Sequence, residues 1–236
     1  MSFKVSCESE ENVLAKLLFD PLVIPVESIA GDGSVASDRL TVEGLRFQFM
    51  AQPVWTPEKA DEELLRKLNA PPLPASVLIP IVVREEGLTL LLTQRTDHLT
   101  NHAGQVSFPG GRFEVEDVSS IETALRETRE EIGLDRRHIE VIGILPDYFT
   151  GTGYQVTPVV AIIHPPFDLK ADASEVAEIF EVPFSFLMDG MNHQRRSAEF
   201  PNGFGRRTFY SMPYDRFFIW GATAGMLRNL FHFLKA

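Results

Sequence analysis

Apolar positions along the 236-residue chain change period several times, and each change predicts an element. Val77–Val83 is a near-continuous apolar run and Thr89–Thr93 a second β-rich one, with the turn Glu85-Glu86-Gly87 between them marking a hairpin. Further strands are expected at Ile139–Leu145, Gln155–His164, Arg207–Ser211 and Phe217–Trp220. From about Val118 to Ile132 the period becomes helical: Val118, Ile121, Leu125, Thr128 and Ile132 share one stripe, and Gly133 caps its end. A final helix is expected over Ala222–Leu234. Upstream, the pattern predicts a short helix at Glu10–Phe19, a turn at Gly31–Gly33 and a strand near Leu40–Met50. Thr56 as cap and Pro57 at the first helical position start another helix, running to Asn69. The prolines of Asn69–Ala75 read as an extended linker. The chain thus divides into an N-terminal extension, 1–70, and a main domain, 71–236, of mixed α/β or α+β class. The extension packs on the main domain or on a second copy in a homodimer.

Composition narrows the function classes. Hydrophobic residues at 44% and charged residues at 23% are ordinary for a globular chain. The 33 acidic residues outnumber 22 basic ones, and the net charge of −11 opposes binding to nucleic acid or an anionic membrane. One cysteine, Cys7, excludes an intramolecular disulfide and a Cys-rich zinc cluster. The longest apolar run contains Pro80 and is far too short to span a bilayer. Met1–Glu11 lacks a signal-peptide layout. A soluble, cytoplasmic protein is expected.

The chemistry concentrates on the Val118–Ile132 helix. Opposite its apolar stripe stand Glu127, Glu130 and Glu131, three like charges on neighbouring positions. Such a trio is unfavourable without positive charge between its members. Arg126, four residues before Glu130, is one source; a hard divalent cation, which takes oxygen ligands, is the other. A solvated face with ordinary ion pairs is the plain alternative. Against it stands the Gly110-Gly111 turn just upstream. Two Gly, an Arg, three Glu and a closing Gly at these spacings arise by chance on the order of 10⁻⁹ per window.

This segment resembles the signature of the Nudix hydrolases: Gly, five residues, Glu, seven residues, then Arg-Glu-aliphatic-x-Glu-Glu-x-Gly-aliphatic. Arg126–Leu134 supplies the second half, with Thr128 at the aliphatic position. In the first half Asp117 stands six after Gly111 in place of Glu, and eight residues separate it from Arg126. The resemblance implies an α/β/α sandwich around a mixed sheet. It also implies Mg²⁺ or Mn²⁺ held by Glu127, Glu130 and Glu131 with the Gly110 carbonyl, and Arg126 orienting the cluster. Leu91–Gly111 (Leu-Leu-Thr-Gln-Arg95 … Gly104-Gln-Val-Ser-Phe108-Pro-Gly-Gly111) is similar to the extra motif of the coenzyme A pyrophosphatase branch. Thr96 replaces its Ser or Ala, and Thr100 replaces a second Arg. Tyr154–Val160, Ser174–Pro183 and Phe218–Ala224 resemble the same branch.

The resemblance implies hydrolysis of the diphosphate of coenzyme A or its thioesters to 3′,5′-ADP and a phosphopantetheine product. A pyrophosphatase for ADP-ribose or NADH is the nearest alternative, and a non-catalytic nucleotide-binding module the next. The water-activating base is Glu127, Glu175 or Glu178, the last two reading equally as charges on the first turn of a helix. Arg95 grips substrate phosphate or forms a structural ion pair, and Gly110 and Gly111 line the substrate. His98 and His102 lack a third zinc ligand. Gly151-Thr-Gly153 is a turn, Phe217–Trp220 belong to the core, and Ser107 lacks a nucleophile-elbow context.

Overall fold

In the computed structural model, which describes residues 20–58, 71–98, 103–200 and 205–236, two sheets share one core. In chain order the elements are β1 (Val26–Ile29), α1 (Val42–Ala51), β2 (Leu73–Arg84), β3 (Gly87–Arg95), β4 (Val106–Ser107) and β5 (Gly110–Arg112). Then come α2 (Ser120–Ile132), β6 (Ile139–Ile144), β7 (Tyr148–Phe149), β8 (Tyr154–Ile163) and β9 (Val176–Pro183). The short α3 (Phe184–Leu187), β10 (Gln194–Phe200), β11 (Gly205–Tyr214), β12 (Phe217–Trp220) and α4 (Gly221–Lys235) complete the chain.

The larger, mixed sheet runs β4-β3-β2-β8-β6, with β5 added to β2, β7 to β8 and β9 to β3. Its spine is the parallel pair β2–β8, in register from Leu73↔Tyr154 to Val82↔Ile163. Parallel strands covered on both faces need apolar residues at successive positions, which is why Val77–Val83 does not alternate. Leu78, Val82, Leu91, Val159 and Ala161 face α2 through Ala124, Leu125 and Ile132. Ile79, Ile81, Leu90, Leu92 and Val160 face the other way, into a core completed by Leu227, Leu230 and Phe231 of α4. Helix, mixed sheet and helix stack as the expected α/β/α sandwich. The second sheet is antiparallel, ordered β1-β10-β11-β12.

Residues 20–58 lie against this body. β1 pairs with β10, Arg39 donates to the Leu234 carbonyl (2.7 Å), and Gln48 donates to that of Phe233 (2.7 Å). Buried Arg228 of α4 binds Asp32 (2.7 Å) and Glu58 (3.0 Å).

Several expectations change. Leu40–Met50 is not a strand: Thr41 caps α1 by accepting from the Gly44 N–H (3.0 Å), and Leu45, Gln48 and Phe49 form its inward face. The alternation of Leu45, Phe47 and Phe49 suggests a strand, but Phe47 and Met50 point to solvent while Phe49 packs on Phe233. Val118 leaves the apolar stripe; α2 begins two residues later, at Ser120 on the Ser119 cap, and Val118 is 86% exposed. Leu73–Ala75 is no linker but the start of β2. Thr56 and Pro57 are non-helical; the rest of that expected helix, 59–69, and Glu10–Phe19 lie outside the described residues.

Candidate metal and diphosphate site

The register of β5 builds the site. Leu78 N–H donates to the Pro109 carbonyl and Phe113 N–H to that of Pro74, so residues 109, 111 and 113 turn their backbone groups toward β2. Gly110 and Arg112 therefore turn theirs outward, toward α2. There the Gly110 N–H donates to Glu131 Oε2 (3.3 Å), and the Arg112 carbonyl accepts from Arg126 Nη2 (3.0 Å). Gly110 admits no side chain, whereas one at Gly111 would displace the Glu127 carboxylate. Gly110 has φ 155°, and a Cβ there would lie 2.4 Å from the Ser76 carbonyl oxygen. A Cβ on Gly111 would lie 2.4 Å from the Glu127 carboxylate.

The three glutamates differ in surroundings. Glu131 is turned inward, its side chain 4% exposed, rather than standing on the solvent side with the others. Burial pushes its carboxyl up to about 8; the Gly110 N–H and Arg95 offset this only in part, and Glu175 and Glu127 add to it. Burial likewise raises Glu127, against the pull of Arg126. Glu130 is exposed and pairs with Arg126 (3.1 Å). Arg126 also holds Glu127 (3.0 Å) and makes a two-pronged pair with Asp117 at 2.9 Å per contact. Asp117 thus serves as the anchor for Arg126 despite its shifted spacing; an acid six residues after Gly111 was its only signal in the sequence.

Arg95 reaches the cluster from the end of β3, 3.7 Å from Glu131 and 3.6 Å from Glu175. Glu175 follows a turn at Asp172 and precedes β9; neither it nor Glu178 is on a helix. Glu178 sits elsewhere. Phe180 and Val182, two and four residues on, pack into the core on the α4 side, and Glu178 itself pairs with Arg216. Arg95, four residues after Leu91 along β3, shares its α2 side, and the register shift skips Ala177 of β9 so that Val176 turns to that side as well. Sheet alternation therefore brings Arg95 to the glutamates and leaves Glu178 across the sheet, while Glu175 reaches Arg95 from the turn before β9.

The other features resolve simply. His98 contacts the Ser174 carbonyl (3.2 Å), while His102 and Thr100 lie outside the described residues. Ser107 bonds Thr93, and Gly151–Gly153 forms the turn between β7 and β8. Phe217 and Ile219 are buried, Phe217 stacking on Phe180.

The donor chemistry fits a hard cation: the buried Glu131 and partly buried Glu127 carboxylates, raised by burial, gather as oxygen ligands against the Gly-Gly strand. Among the described residues no three acidic, histidine or cysteine side chains converge tightly enough to grip an ion as they stand. Glu130 would have to leave Arg126 to join Glu127 and Glu131. Along the outer side of α2 runs a cleft of about 670 Å³, lined by Asp117, Val118, Leu125, Arg126, Arg129 and Glu130 among others. Its size suits a small-molecule ligand. No helix among the described residues is long and apolar enough to cross a membrane.

Comparison with known proteins agrees with this geometry. Residues 72–187 match the NUDIX domain family. The chain is 44% identical over 172 residues to the uncharacterized Nudix hydrolase NudL of Shigella flexneri, covering 71% of this chain and 88% of that one. It is 45% identical over 156 residues to NudL of Escherichia coli K12, covering 66% and 80%. A Mycobacterium smegmatis Nudix hydrolase, RenU, superposes with a TM-score of 0.42 at 21% identity, over 49% of this chain and 73% of its own. With the extent of the NudL match and a carboxylate helix set against a Gly-Gly strand, the chain belongs to the Nudix hydrolases, enzymes that act on phosphoric anhydride bonds.

Proposed function

We propose that the protein is a Mg²⁺- or Mn²⁺-dependent pyrophosphohydrolase that cleaves the diphosphate of coenzyme A or its thioesters, releasing 3′,5′-ADP and a phosphopantetheine product. The observation that carries the reaction type is the packing of Glu127 and Glu131 onto Gly111 and Gly110, which crowds two carboxylates together against the Gly-Gly strand. The substrate reading is supported by the Leu91–Gly111 segment and its likeness to the coenzyme A branch.

Glu127, Glu131 and the Gly110 carbonyl would hold the ion, with Glu130 joining from the exposed side. When bound, a divalent ion neutralises diphosphate oxygens and acidifies water. Arg126, fixed by Asp117, keeps Glu127 and Glu130 within reach of each other. Glu175 stands beside the cluster with a half-exposed carboxylate and takes the proton of the attacking water at a carboxylate oxygen. Arg95, between Glu131 and Glu175, turns its guanidinium to the substrate phosphate. A single cysteine and the acidic composition support work in the cytoplasm.

The test is incubation with Mg²⁺ or Mn²⁺ and coenzyme A, followed by chromatography. Release of 3′,5′-ADP is expected. Preferential release of AMP from ADP-ribose or NADH would replace the substrate assignment. No turnover of any nucleotide diphosphate would favour a binding module.

A further inference from the structure

We infer that Arg112, held in place by Tyr154, is a phosphate-gripping residue that reaches the substrate from the far side of β5. This deepens the reading above and rests on it. Arg112 directly follows Gly111, about 3.8 Å of chain from the residue that abuts Glu127. It pairs in register with Ala75, whose side chain packs into the α4-side core, so Arg112 points to that face and away from the carboxylates. The inner edge of β5 is paired to β2, while its outer edge faces α2. A nucleotide whose diphosphate lies at Gly110–Gly111 can therefore present other phosphate oxygens across the strand.

The guanidinium is fixed before any ligand arrives. Its Nε donates to the Tyr154 hydroxyl (2.9 Å), Nη2 donates to the same oxygen, and the cationic carbon lies 5.4 Å from the centre of the tyrosine ring. Among the described residues no carboxylate pairs with it. Arginines at 84, 95, 126, 136 and 216 all face an acid, in a chain of net charge −11. The exposed arginine next to the Gly-Gly strand has only a neutral partner. Nη1 remains for a ligand, and a guanidinium fork matches phosphate oxygens. Holding the side chain against Tyr154 lowers the ordering cost of that contact.

The test measures kcat and KM of the full chain with Mg²⁺ on coenzyme A, ADP-ribose and NADH, together with the Kd for ADP in EDTA. On whichever substrate the wild type turns over fastest, Arg112→Ala is expected to raise KM about 10- to 100-fold, with kcat within about threefold. It should weaken ADP binding in parallel. Arg112→Lys should recover part of the loss, and Tyr154→Phe should show a smaller rise in KM with an unchanged melt. A KM and Kd within about twofold of wild type for Arg112→Ala, while the wild type remains active, overturns the role of Arg112 alone. A wild type inactive on all three substrates removes the pyrophosphohydrolase reading and this inference with it.

Discussion

Asp117 and Arg126, nine positions apart, meet in a two-pronged ion pair in which Nε and Nη2 each lie 2.9 Å from a different carboxylate oxygen. Asp117 also accepts from the Glu114 N–H and the Thr123 hydroxyl, and these contacts, led by Arg126, hold its pKa far below the usual carboxylate range. Because the same guanidinium grips Glu127 and Glu130, loosening Asp117 frees Arg126 to collapse onto the glutamates. Asp117→Asn is expected to lower kcat/KM about 10- to 100-fold, with a loss of only about 1–2 kcal/mol in stability. Steady-state kinetics beside a urea melt checks the split.

Gly111→Ala tests the close approach directly. Its new methyl would meet the Glu127 carboxylate at 2.4 Å, and the long side chain can swing away more easily than the strand can move. Turnover should fall at least about 100-fold while the melting temperature drops by only a few degrees. Wild-type kinetics from this variant would show that Glu127 need not lie against β5.

Glu131→Gln separates stability from activity. At pH 9, above the raised pKa of about 8, the fold carries a buried carboxylate whose nearest cation, Arg95, stands 3.7 Å away. The amide removes that cost, so the metal-free variant should melt a few degrees higher than wild type at pH 9, with the gap narrowing through pH 6 and closing near the unfolded carboxyl's 4.5. Activity should fall about 1000-fold.

The two downstream glutamates should part company. Glu175→Gln is expected to reduce kcat about 100-fold. Glu178→Gln, across the sheet and paired with Arg216, should stay within about threefold. Equal losses from both would contradict the sheet alternation that separates them.

Acidification should destabilise the fold in two stages. His193 is buried; its Nε2–H donates to the Leu187 carbonyl (2.8 Å) and Nδ1 accepts from Arg228 (3.2 Å). Burial holds its pKa down to about 4, so between 6.5 and 4 the unfolded chain binds the proton and the native one does not. Stability is therefore full above 6.5 and falls as pH drops through that window, by about 2–3 kcal/mol. Burial of Glu58 raises its pKa, but hydrogen bonds from His232, Tyr210 and Arg228 outweigh that and hold it at about 2. Its contribution is present above 4.5 and lost toward 2; the group is partly exposed, which limits it to about 1 kcal/mol. Urea melts at pH 7, 5.5 and 4.5 should show the first decline in the Glu131→Gln background, where the raised Glu131 carboxyl no longer opposes it, and adding His193→Gln should flatten it.

The sheet spine and α2 were legible in the sequence because burial on both faces, or on one helical stripe, leaves a period of its own. The acidic trio was legible for the same reason: its members are locked to one helix. α1 was not. Leu45, Phe47 and Phe49 alternate like a strand, and only packing on Phe233 selects the helix. Nor could spacing assign Glu178, because Ser174–Pro183 reads equally as the start of a helix, and only as a strand does Glu178 share a face with Phe180 and Val182. Asp117 looked displaced by one residue, and the loop before Ser119 absorbs the difference.

One edge of β2 serves two neighbours: its last four residues pair with β3, and Ala75–Val77 pair with β5. The end of β3 bearing Arg95 and the Gly-Gly strand are thus measured off a single twelve-residue ruler. Insertions or deletions in the connection between them can reshape the loop that starts beside Glu175 without resetting the distance from guanidinium to glycines. Substrate choice in this scaffold can drift while the hydrolytic geometry stays calibrated.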